Sequence, residues 1–527
     1  MIRFLSRSGC LSRLLRDKGG NVLMITAGVI TTLMFALGFG VDYSRAMKLQ
    51  SRLNAAADAA VLVAVNAPMM QQDATSAKTA ATNMFVQQGS GLTGLDFTPA
   101  TDLSISITTT GSLNNGRSVT VVWKARSKNI FTSFLGSTYL PLSGTAQSAA
   151  TKAPYMNFYL VMDSSPSMLL PVTTAGLNSL MTATSAYANS PYGCAFACHE
   201  MTPRSDAIYI QKGSLDVYLD ANYYTSGATG YQTYYLINSS NGKVYDSSGN
   251  LLSGYSWNNS KLYKNSSVVN GYYADGYWAT HNYGVISSGA SAITLRIDEE
   301  RSAAQALIPY AQQMASANSV TYKLQMFNFD WTHPAKTSPV NTISSMTDVA
   351  SLSTSSVPDL YAAQDWWYKN NCPSTSNCTS DMGTEFTNML TTMNAAMATP
   401  GDGTTSSSPQ EVMFLITDGM ADEGVSGARW VRELNPLDLA QCTLIKNRGI
   451  KIAILYTEYL AGSMTGDSWS QSTVAPYLSN VSPTLKSCAS TGSNGTSLFY
   501  TVSTDQSISD ALVALFALTV QQAHLVQ

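Results

Sequence analysis

Asp163, Ser165 and Ser167 follow directly on the apolar run "FYLVM", residues 158–162, with Ser164 and Pro166 between them. This D-x-S-x-S spacing suits a loop that turns its first, third and fifth side chains inward. A second carboxylate, Asp418, ends the apolar run of "MFLITDGMADEG", and Thr384 stands just before a helical pattern in "MGTEFTNML". Two carboxylates and three hydroxyls are hard oxygen donors, with no imidazole or thiolate among them. Such a set selects one divalent cation, Mg²⁺ first and Mn²⁺ or Ca²⁺ as alternatives, over zinc or copper. Only two formal negative charges would face the dication, which leaves it attractive to a further anionic oxygen.

Catalysis is the weaker reading, and the chain is expected not to be an enzyme. A serine beside an aspartate becomes a nucleophile only with a positioned base. None of His199, His281, His333 and His524 lies in a motif that brings it to Ser165, and no G-x-S-x-G, Walker A or H-E-x-x-H pattern occurs. Metal-assisted hydrolysis through Asp163 and Asp418 would still lack an acid for the leaving group.

The elements that must position these residues alternate between strand and helix from 154 to 525. "NFYLVMD", "TYKLQMFNFD", "EVMFLITDG", "IKIAILYTEY" and "SLFYTVST" read as strands. Between and after them, Leu295–Ala315, "EFTNMLTTMNAAMA", "PLDLAQCTLIKNRG" and Ile508–His524 read as helices. That alternation predicts an α/β fold: a Rossmann-like, doubly wound, mostly parallel sheet, whose strand ends would gather the three loops in one crevice. Residues 200–290 break the pattern. Rich in Tyr, Gly, Asn and Ser with N-G and S-G turns, they predict a β-rich insertion, either a recognition surface or a decorative loop. The charge run Arg296, Asp298, Glu299, Glu300, Arg301 reads as a solvated helix face, and "DWW" at 365–367 as a loop anchor.

The first 150 residues are different in kind. Residues 1–21 are basic, and 22–41 carry no charge and are long enough to span a bilayer as a helix. Under the positive-inside rule the N-terminus stays cytoplasmic and everything after Asp42 is exported, giving a single-pass inner-membrane protein with its bulk periplasmic or surface-exposed. A cleaved signal peptide is the rival reading. Ala46, Leu49, Leu53, Ala56, Ala60 and Val63 continue one helical face beyond the span, so the helix should reach roughly 60 Å before Pro68 ends it. A second helix near Ala74 to Gln88 and a hairpin of "LSISITTT" and "SVTVVWKA" complete a helix-plus-sheet module over 42–150, read as a spacer.

Cysteine usage and composition agree with export. Apart from Cys10, six cysteines remain: Cys194, Cys198, Cys372, Cys378, Cys442 and Cys488. Proximity favours Cys194–Cys198, Cys372–Cys378 and Cys442–Cys488 in an oxidising compartment. Zinc at "CAFACH" lacks a second ligand pair. Only 12% of residues are charged and the net charge is −3, which gives no case for a nucleic-acid partner.

Taken in order, the segment from Asp163 to Ser167, the "GT" that ends at Thr384 and the "TDG" around Asp418 resemble the metal-ion-dependent adhesion site of a von Willebrand factor type A domain (MIDAS). The resemblance covers about 154–525, interrupted by the insertion. It implies that Ser165 and Ser167 bind the metal directly, that Asp163, Thr384 and Asp418 do so directly or through water, and that a protein partner completes the sphere with a Glu or Asp. The N-terminal segment, with its "GN", "VDYSRA" and "LNAAADAA" stretches, resembles TadG-type proteins of bacterial tight-adherence (Flp pilus) systems. That implies a pilin-like helix, and Tad pilus or envelope components as partners. Prepilin-peptidase cleavage after Gly20 would want Glu where Ile25 stands, so no ordinary processing is expected.

Overall fold

The computed structural model describes residues 20–525 apart from 112–114, 186–192, 197–209, 221–233, 275, 289, 333–337, 361–382, 426–427 and 493–494. The chain forms two compact units, divided after Lys152.

The first unit is organised by one helix, α1 (Gly20–Ala64), of 45 residues and therefore about 68 Å long. Ahead of Gly38 its described residues are exposed. Val22, Met24, Leu33, Leu37 and Phe39 are all exposed, and this is the described helix long and apolar enough to cross a membrane. Its second half buries Ala46, Leu49, Leu53, Ala56 and Ala60 as their spacing predicts, although Val61 and Ala64 close the face in place of Val63. The helix stops at Ala64, short of Pro68, and the Arg117 guanidinium binds its end: Nη1 donates to the carbonyls of Ala64 (3.1 Å) and Met69 (2.8 Å). Helix α2 (Ala74–Gly89) starts at Asp73, whose carboxylate accepts from Ser76 N at 2.7 Å. Both helices contribute to a core shared with an antiparallel sheet of β1 (Leu103–Thr110), β2 (Gly116–Lys128) and β3 (Tyr139–Thr151), β2 being central. Phe85 and Trp123 meet at that core, ring centroids 6.5 Å apart.

The second unit is built on a sheet in which β5 (Tyr322–Phe329), β4 (Met156–Asp163), β6 (Gln410–Thr417), β7 (Lys451–Thr457) and β8 (Phe499–Val502) lie side by side in that order, all parallel. Val340–Thr342 adds an antiparallel edge. Phe158, Leu160 and Met162 of β4 face a cluster that includes α3 (Arg296–Asn318) and, at the chain's end, the helix Ile508–Leu525. Tyr159 and Val161 face the other way, onto α4 (Phe386–Ala396), α5 (Pro436–Asn447) and α6 (Leu478–Cys488). With both faces covered, β4, β6 and β7 are apolar over most of their length, whereas β5 also carries Lys323, Gln325 and Asn328. A disulfide between Cys442 and Cys488, Cα atoms 5.3 Å apart, ties α5 to α6 as expected. Cys194 is also disulfide-bonded; Cys198, Cys372 and Cys378 lie outside the described residues, as does Asp365–Trp367.

The insertion is a folded β element rather than an irregular loop. Its strands form a five-stranded antiparallel sheet and a three-stranded meander. Tyr218, Ile237, Val244, Trp257, Leu262 and Tyr273 make its own core. Tyr218, Trp257 and Tyr273 meet edge to face, so these aromatics build the module.

Candidate metal centre

The chain enters the parallel sheet at β4, steps to β5 on one side, and then crosses to β6 on the other. Loops leaving β4 and β6 therefore diverge at their carboxyl ends, which is where a crevice opens in such sheets. Asp163 is the last residue of β4, and Asp418 follows Thr417, the last of β6.

Each loop is held by hydrogen bonds that its own residues supply. The Asp163 carboxylate accepts from Ser165 N (3.0 Å) through Oδ1 and from Thr417 Oγ1 (2.5 Å) through Oδ2, so the two strand ends are joined at this carboxyl. Ser164 is pinned to β5, its N and Oγ both donating to the Phe329 carbonyl. Pro166 then opens a short 3₁₀ turn, and Ser165 Oγ lies 3.1 Å from Ser167 Oγ. On the β6 side, Asp418 Oδ1 accepts from Met420 N at 3.0 Å. Gly419 has φ of +69°, and a Cβ there would fall 2.5 Å from Leu485, so this turn requires glycine. The Thr384 loop runs between the other two. A Cβ on Gly383 would lie 3.0 Å from Pro166 Cδ, and the Thr384 carbonyl accepts from Asp422 N at 3.0 Å. Asp163, Ser165, Ser167 and Asp418 thus converge, with Thr384 on the adjoining segment.

Electrostatics at this rim are unbalanced. Asp163, Asp418 and Glu300 have no exposed surface. Glu300 Oε1 accepts from Asp163 N at 3.1 Å, while its Oε2 has no hydrogen-bond partner. Asp418 Oδ2 likewise accepts none, and the Arg296 Nη1 lies 3.6 Å from it. Burial, and then the charge of Asp418, push Asp163 up to about 7. Burial raises Asp418 as well, against the pull of Arg296. Glu300 is driven well above the carboxylate range by burial and then by Asp163. Asp163, Asp418 and Glu300 are buried together with the Arg296 guanidinium beside Asp418, while a second buried guanidinium, Arg432, is paired with Asp422 next to Thr384.

Arg296 and Glu300 correct the expectation of a solvated helix face. They lie on the side of α3 that also buries Ala303, Leu307 and Ala311. That three- and four-residue spacing was the signal in the sequence, masked by the charges around it. His281 is engaged by Asp298, Nε2 to carboxylate 3.1 Å. His199 and His333 lie outside the described residues.

The donor chemistry and the orphaned Asp418 and Glu300 oxygens fit a hard divalent cation. No group of three or more His, Cys, Asp or Glu is arranged to hold a metal among the described residues, so a cation here would rest on two carboxylates and the hydroxyls.

Residues 20–67 match the Tad family, described as putative Flp pilus-assembly TadE/G-like. The Tad match covers α1 and the turn after it, and links the chain to Flp pilus systems. No curated protein sequence matches the chain. Among solved structures, the pilus adhesin SpaC from Lactobacillus rhamnosus GG aligns at 10% identity and a TM-score of 0.30, covering 80% of this chain and 34% of the adhesin. Its open conformation aligns at 9% and 0.30. Proximal thread matrix protein 1 from the mussel byssus aligns at 10% and 0.20, covering 42% of this chain and 43% of its own. The chain thus spans about a third of the adhesin's length, and at these scores neither likeness carries an argument.

Proposed function

We propose that this chain is a membrane-anchored, exported component of a Tad/Flp pilus system that binds a protein partner through a divalent cation. Its second unit is a von Willebrand factor A-type domain. Asp163, Ser165, Ser167, Thr384 and Asp418 hold the ion, Mg²⁺ first, and a partner's Glu or Asp completes its coordination. The output is adhesion, anchoring or assembly of the pilus rather than turnover. The N-terminus faces the cytoplasm and the remainder lies outside the inner membrane. The observation that supports this reading is the pair of buried carboxyl oxygens without a hydrogen-bond partner, Asp418 Oδ2 and Glu300 Oε2, beside the ends of β4 and β6.

The test pairs binding with phenotype. Wild-type protein should take up Mg²⁺ by calorimetry, and the double substitution Asp163→Asn/Ser165→Ala should abolish uptake and reduce pilus display and surface attachment at equal protein level. Attachment that is unchanged when uptake is lost would remove the metal from the function.

A further inference from the structure

The loop joining β2 to β3, residues 129–138, is uncharged and holds Ile130 (51% exposed), Phe131 (45%) and Phe134 (87%). A short loop with three open apolar side chains needs a reason. Its height on α1 is fixed at two points. Asp42, itself buried, accepts from the backbone N–H groups of Ile130 (2.8 Å), Phe131 (3.0 Å) and Thr132 (2.8 Å), and from Thr132 Oγ1 (3.0 Å). One turn earlier, a Cβ on Gly38 would fall 2.6 Å from Phe131 Cβ, so the loop lies directly on the helix there. Residues 22–41 span about 30 Å as a helix, the thickness of a hydrocarbon core. Gly38 to Asp42 is then the level at which α1 leaves it. Phe39 and Tyr43, both exposed and stacked on each other at 6.2 Å, mark the same level on the helix. Tyr139, where the loop returns, is exposed and has the Arg126 guanidinium 6.0 Å from its ring, the pairing of aromatic and cation suited to a headgroup zone.

We propose that this loop is a second membrane contact, its Ile130, Phe131 and Phe134 entering the interfacial zone of the leaflet from which α1 emerges. The inference rests on reading α1 as a membrane span, and the loop meets that span at Gly38. The Asp42 clamp serves the same end. Three loop N–H groups are already paired, so the tip carries fewer unsatisfied donors into a medium that cannot hydrogen-bond them.

The experiment uses the full chain with Cys10→Ser, reconstituted in vesicles of phosphatidylethanolamine and phosphatidylglycerol. Nitroxide labels are placed at Phe134→Cys, at Leu33→Cys within the span, and at Leu251→Cys as an exposed site of the other unit. Collision rates with oxygen and with a water-soluble nickel chelate are then compared. The label at 134 should show an oxygen-to-nickel ratio several-fold above that at 251 and approaching that at 33. Free access of nickel at 134, or shielding from both reagents as under a covering protein, overturns the proposal while a lipid-like label at 33 leaves the span intact. A water-like label at 33 overturns the span and the proposal together.

Discussion

Replacing Asp163 with asparagine sets two consequences of the site against each other. Asp163 is fully buried and lifted to about 7, by burial first and by Asp418 second. At about 1.4 kcal/mol per pH unit, holding it ionised at pH 8 costs the metal-free protein roughly 4 kcal/mol. An amide of the same shape removes that charge and still accepts from Ser165 N, while the Thr417 hydroxyl can turn to accept from the new NH₂. With about 2.1 cal/mol/K of unfolding entropy per residue, relief of this size in residues 153–526 raises Tm by about 5 °C. In a divalent cation at a hundred times Kd the gap narrows to about 1 kcal/mol, because wild type gains about 2.7 kcal/mol and the variant gains little. The assay is thermal unfolding of the full chain in detergent, followed by tryptophan fluorescence, in chelator and in Mg²⁺ at pH 8 and pH 5. The variant's advantage in chelator should fade at pH 5, where wild-type Asp163 is already protonated. An Asp163→Asn protein that is less stable than wild type in chelator at pH 8, and gains equally from Mg²⁺, would refute the reasoning.

Arg296→Gln removes the guanidinium beside Asp418 and should cost the metal-free protein about 3–5 kcal/mol; Mg²⁺ should restore more stability to this variant than to wild type, read in the same melts. Cys442→Ala/Cys488→Ala frees a 46-residue separation and should cost about 2–4 kcal/mol, measured by urea unfolding without reductant. Glu423 is raised to about 8 by burial and then by Asp438. Its contribution to stability is therefore full below the ordinary glutamate value and is lost as pH rises through about 8. Glu423→Gln should flatten the decline in Tm between pH 4.5 and 8, and an unchanged slope would exclude it as the source.

The central strands were legible because both faces of the sheet are covered, which makes runs such as Val412–Ile416 apolar without interruption. Cys442–Cys488 was legible from proximity. Helix α6 was not, since Pro483 and its hydroxyl-bearing residues hide a buried face of only Val481, Leu485 and Cys488. At the candidate site, the loop residues announce themselves by type and spacing, but Glu300 and Arg296 do not. A buried charge looks like a solvated one until its partners are located, and those partners come from strands more than a hundred residues away. Likewise, a tyrosine in a polar stretch reads as surface, whereas Tyr218 and Tyr273 are the interior of the insertion.

The guanidinium of Arg296 has a mechanical consequence. It reaches Asp418 after β6, donates to the Glu458 carbonyl after β7, and lies 6.0 Å from the Tyr459 ring, while its own helix supplies the glutamate that grips the end of β4. Three segments of the rim therefore share a single fastening. On the proposed reading, a cation that drew Asp418 away from this guanidinium would also disturb its hold on the β7 loop, and occupancy of one point on the crest would be felt across its whole width.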